Sequence, residues 1–143
     1  MIAAAWEASP VPLSINYQRD RMGLQTERRL EQFLQLADLP STQVSSRMEF
    51  SMPPFQLYVE CLEEHILLTL SREIEDAYQG TAFVKSLSAC HPARTQGTPI
   101  RTWQLKGKQM LSCSPGKYSD VSHWLACLQT MRRMLEIIAG GHR

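Results

Sequence analysis

The stretch FQLYVECLEEHILLTLSREI, Phe55 to Ile74, is the richest apolar run in the chain. It admits two readings. As one helix, Phe55, Val59, Leu62, Ile66 and Leu70 share a face, and Leu, Glu and Arg favour helix. Leu57 and Leu67 then fall off the stripe, so the polar residues form no clean opposite side. As two strands, Phe55, Leu57, Val59 and Cys61 alternate with polar residues, and Ile66, Leu68 and Leu70 alternate again. Tyr58, Val59, Ile66 and Thr69 favour strands. We take the segment as two antiparallel strands split at Leu62 to His65. Glu-Glu-His is poor chemistry for a tight turn, so a longer loop is expected there.

The flanking sequence supports a sheet. RMEFSM alternates, with Met48, Phe50 and Met52 on one side, and Pro53 and Pro54 end it. IRTWQL and QMLSCS flank Lys106–Gly107–Lys108 as a second hairpin. Helical periods surround these strands. In TERRLEQFLQLADLP, Leu30, Phe33, Leu34 and Ala37 share a face; Thr26 suits the N-cap and Pro40 stops the helix. In EIEDAYQGTAFVKSLSACHP, Ala77, Thr81, Val84 and Leu87 share a face, with Phe83 and Cys90 beside it. The strongest period is the last: Val121, Trp124, Leu125, Leu128, Met131, Leu135 and Ile138, with Ser119 as N-cap and Gly140 and Gly141 as the stop.

These elements predict a single-domain α+β fold: helix, three strands, helix, two strands, helix, an antiparallel twisted sheet packed by helices. The boundaries expected are a mobile N-terminal arm over 1–25, the domain over 26–139 and a tail over 140–143. A chain of 143 residues buries a core without metal or disulfide staples.

The chemistry is sparse. Lys plus Arg (15) nearly balances Asp plus Glu (14), which gives no field for nucleic acid or anionic membrane. The basic stretch between Gln18 and Arg29 is most simply a solvated segment, with nucleic-acid binding as its alternative. No run is long enough to span a bilayer, and the N-terminus lacks a signal peptide's basic region, so a cytoplasmic protein is expected. Phosphate-loop, dinucleotide, zinc-protease and nucleophile-elbow motifs are absent. Cys61, Cys90, Cys113 and Cys127 are scattered, and the default for each is a small buried thiol.

Two further sites are conceivable. His123 and Cys127, four apart on one helix, could bind zinc if Cys90 and His91 joined them. Alternatively, Cys90 or Cys127 with His91 or His123 could form a nucleophile pair, but no third orienting group is evident. Glu63 and Glu64 beside His65 read as an exposed loop. Trp103 breaks its strand's alternation and Trp124 lies on a wide apolar face; each is either core or an interface anchor. With Met131 and Met134, that last helix could offer a greasy flank.

The order of elements, the first helix RLEQFLQLADLP and the closing segment WQLKGKQMLSCSPGKYSDVSHWLACLQTMRRMLEII resemble the class I chaperones of bacterial type III secretion. AFVKSLSACHP is similar to a stretch in gatekeeper-associated regulators of secretion order. The resemblance implies a small cytoplasmic dimer without catalytic residues, cofactor or metal. It implies a homo- or heterodimer that holds an extended segment of a secreted effector or gatekeeper protein, as a chaperone or a chaperone-like regulator. Carried onto this sequence, the substrate surface falls on Leu30, Phe33, Leu34, Met48, Phe50 and Leu57. The dimer contact falls on Val84, Leu87, Trp103, Leu105 and Met110. A Cys/His metal-binding or enzymatic protein and a nucleic-acid-associated regulator are the alternatives.

Overall fold

A computed structural model describes residues 23–40 and 44–140. Helix α1 spans Leu24–Leu36, followed by strands β1 (Arg47–Met52), β2 (Phe55–Leu62) and β3 (His65–Glu73). Helix α2 spans Gln79–Ala89, β4 Ile100–Leu105, β5 Lys108–Cys113 and helix α3 Val121–Gly140. The expected order is therefore the observed one. The arm, up to residue 22, and the tail beyond Gly140 lie outside the described residues. Gly140, expected in the stop, is the last helical residue.

All strand pairs are antiparallel, in the order β1-β2-β3-β5-β4, so β1 and β4 are the sheet's edges. Phe55 to Ile74 is the β2–β3 hairpin, with Leu57 opposite Leu70 and Val59 opposite Leu68. A strand has period 2, so these side chains share one face with Met48, Leu111 and Cys113. That face is the core. Leu30, Phe33 and Leu34 of α1 and Trp124, Met131 and Leu135 of α3 complete it, all buried. The Phe33 and Trp124 rings meet edge to face at 6.0 Å.

The expected long loop at Leu62–His65 is instead a two-residue turn. Leu62 pairs with His65, and Glu63 and Glu64 take positive φ of 52° and 67°. That is the backbone of a type I′ turn, whose twist matches the strands. Each L-residue held there costs roughly 1–2 kcal/mol. A contact to α1 offsets part of it. The Glu64 carboxylate accepts the Gly23 N–H at 2.8 Å and a hydrogen bond from the Thr26 hydroxyl. These bonds hold its carboxyl below the usual range, the Thr26 hydroxyl first and the Gly23 amide second.

Thr26 is thus not the N-cap. Gly23 is, with no side-chain cap of its own, and the missing acceptor comes from across the sheet. Ser119 is likewise not the cap of α3. The His123 amide donates to the Asp120 carboxylate at 2.9 Å, while Ser119 accepts the Trp124 indole N–H at 2.9 Å.

Candidate functional site

Two regions of the molecule carry unspent polar or apolar groups. The first lies where the loop before β4 meets α3. His123 Nε2 sits 2.7 Å from the Thr98 hydroxyl and 3.6 Å from Cys127 Sγ. His123 Nδ1 lies 3.3 Å from Gln96 Oε1. With Nδ1–H donated to that amide oxygen, Nε2 is left as the acceptor. The Cys113 thiol donates to Cys127, which pushes Cys113 up and draws Cys127 down against its burial.

Cysteine, histidine and an orienting amide are therefore brought together, and Gln96 supplies the third group that the sequence did not reveal. Its signal was invisible because it acts across 27 residues from a loop. Cys127, however, is fully buried, so no substrate meets its sulfur. The arrangement ties the Thr95–Thr98 turn to α3; Thr95 Oγ1 adds a hydrogen bond to the Thr98 carbonyl. The zinc set does not assemble: among the described residues no three His, Cys, Asp or Glu side chains converge as metal ligands. Cys61, Cys113 and Cys127 are buried thiols, as expected, and Cys90 is half-buried.

The second region is surface. All three helices have packing partners on the core face or its margin. α2 sits over β4 through Ser86, whose hydroxyl accepts from Thr102 Oγ1 at 2.9 Å. The expected apolar face of α2 points away from the protein. Ala82 and Ser86 are its buried residues, whereas Val84 is 61% and Leu87 53% exposed. Small residues win the buried side because they let the helix approach closely.

The residues expected at a partner surface divide accordingly. Leu30, Phe33, Leu34 and Leu57 are fully buried and Met48 nearly so; they build the core and have no surface to offer. Phe50, on edge strand β1, is half-buried. Trp103 and Leu105 are half-buried on edge strand β4, with Met110 buried opposite Trp103. Register sets Trp103 on the sheet face away from the helices, while Val84 and Leu87 lie on the helix side. The expected dimer residues thus form two patches around one sheet edge. Trp124, Met131 and Met134 are core, and the exposed apolar residue of α3 is Ile137.

No described helix packs on the sheet's second face. There Leu67, Thr69 and Ser71 of β3 lie beside Met110 and Ser112 of β5 and Arg101, Trp103 and Leu105 of β4. A cleft of about 560 Å³ opens at one end of this face, between Leu67, Arg101, Trp103 and Ser114. A second of about 430 Å³ opens at the other end, between Pro54, Arg72, Glu73 and Lys108.

The fold and sequence have known counterparts. The curated relative "Secretion system apparatus protein SsaM" of Salmonella typhimurium strain LT2 is 28% identical over 113 residues, covering 78% of this chain and 90% of that protein. Among solved structures, the chain is similar to the HopA1–SchA chaperone–effector complex, with TM-score 0.52, 16% identity and coverage of 84% of this chain and 97% of that one. YbjN from E. coli has the same TM-score at 10% identity, covering 82% and 89%. At these identities the structures report the fold alone. The SsaM family model matches residues 23–138, nearly the whole described domain, and the chain belongs to the SsaM family.

Proposed function

We propose that this chain is a non-enzymatic, chaperone-like component of a type III secretion system. It binds a secreted effector or an export-gate protein and keeps the bound segment extended. The observation that carries this is the family match over residues 23–138, joined to a fold shared with a chaperone–effector complex. The surface agrees with a binding role. Val84 and Leu87 leave an apolar patch on α2, and β1 and β4 leave strand edges free to pair with an extended chain. In this reading the protein acts in the cytoplasm as a homo- or heterodimer, with Val84 and Leu87 at the contact. Phe50 lines the β1 edge that takes the substrate strand.

The test is a tagged pull-down of the full chain from its host, followed by mass spectrometry and by sizing of the complex. One dominant secreted or gate protein in fixed stoichiometry is the expected result. A chain that elutes alone from secreting cells refutes it. In that case a sealed Cys127–His123–Gln96 group would remain the only organised chemistry among the described residues.

A further inference from the structure

The sheet's second face carries three features that the fold itself does not use. First, two buried polar atoms on it, Thr69 Oγ1 and Trp103 Nε1, have no hydrogen-bond partner. Thr69 is only 1% exposed, and such orphans cost about 1–3 kcal/mol each. They are near neighbours, since Thr69 pairs with Ser112 and Trp103 with the adjacent-but-one Met110. Second, the two clefts lie at opposite ends of β3, at Leu67 and at Arg72–Glu73. Five residues of strand separate Leu67 from Arg72, about 17 Å at 3.4 Å per residue. Third, Arg101 in one cleft and Lys108 in the other form no ion pair with a described residue. Glu73 is the one carboxylate lining either cleft.

We infer that this face binds an extended, acidic and apolar segment of a protein partner, laid along β3 and β5. Resting on the reading that the chain binds a protein, this names the chemistry of what it binds. An apolar side chain fills the cleft between Leu67 and Trp103. Carboxylates meet Arg101 at one end and Lys108 at the other, while Glu73 repels a partner's acid placed midway beside it. The main chain of the segment offers what the orphans lack: a carbonyl for the indole N–H once the ring turns toward the cleft, and an acceptor or donor for Thr69. A segment of about six to eight residues spans both ends at strand rise. Charge complementarity selects acids over bases here and speeds encounter.

The test uses the full chain and two labelled ten-residue peptides read by fluorescence anisotropy. One alternates Glu with Val and Leu; the other has Lys at every Glu. The acidic peptide is expected to bind at least tenfold more tightly than the basic one. Arg101→Glu should cost it tenfold or more and narrow or reverse the preference. Trp103→Ala should cost a similar factor; if that variant fails to unfold cooperatively, the exposed Arg101 carries the test alone. Equal binding of the two peptides, or binding indifferent to Arg101→Glu, overturns the inference. So does a fall from dimer to monomer in sedimentation on Arg101→Glu, which would give the face to a second copy. A loss of amide-exchange protection within residues 1–22 in that variant would give the face to the chain's own N-terminal segment and would also overturn it. Should the pull-down partner stay bound to Arg101→Glu, the chaperone reading stands and this face falls. Should the acidic peptide bind while no partner is ever captured, the face stands and the chaperone reading falls.

Discussion

Replacing Glu64 by Ala removes a cap that the helix it serves cannot supply. α1 begins at Gly23, which has no side chain, and the Glu64 carboxylate takes both the Gly23 amide and the Thr26 hydroxyl. Loss of a helix cap costs about 0.5–2 kcal/mol. Loss of a carboxylate at the positive end of a helix adds about 0.3–1 kcal/mol, toward the low end because Glu64 is solvent-screened. Ala and Glu both carry a Cβ, so the φ of 67° costs the same in either and cancels. The expected loss is about 1.5 kcal/mol, read from urea unfolding followed by tryptophan fluorescence, with an unchanged slope.

The pH dependence follows from the direction of the Glu64 shift. The folded carboxyl titrates below its ordinary value, so its contribution is complete above the unfolded value near 4.5 and fades as pH falls through the folded one. The gap between wild type and Glu64→Ala should therefore shrink on acidification. Thr26→Val in the same background should give a coupling of about 0.5 kcal/mol or more with Glu64→Ala. A loss under 0.3 kcal/mol, or a gap that is flat from neutral to acid pH, refutes the capping argument.

Three further outcomes are expected. Phe33→Ala should cost about 3–5 kcal/mol in the same unfolding assay, because Phe33 is fully buried against Trp124; a loss below 1 kcal/mol would mean the core is not where we place it. Val84→Asp with Leu87→Asp should leave folding stability within about 0.5 kcal/mol per site while abolishing self-association or partner binding, as read by sedimentation. A thiol reagent should label Cys90 alone in the native state, and slowly, because burial raises its pKa; Cys61, Cys113 and Cys127 should react only after unfolding. Fast labelling of Cys127 would show that the thiol beside His123 is open to solvent and would reinstate the nucleophile reading.

What sequence determined by itself was whatever is written in local period. Alternation from Phe55 to Ile74 marks two strands whose inner side chains are Leu57, Val59, Leu68 and Leu70, and those are buried. The period of α3 and the triplet Leu30, Phe33 and Leu34 on α1 identify their inner faces for the same reason: a long amphipathic pattern leaves only one side to bury. Tertiary structure decided the rest. On α2 the apolar pattern selects Val84 and Leu87, yet the neighbouring strand admits Ala82 and Ser86, because close approach and a hydrogen bond to Thr102 outweigh two larger side chains left in water. The Glu63–Glu64 turn looks unsuitable residue by residue and is adopted because its carboxylate reaches α1, 38 residues back to Thr26. Gln96 meets His123 only after the chain has folded. Periodicity encodes which side of an element is greasy; what that side meets, and which polar groups are left without partners, depends on contacts between residues far apart in the chain.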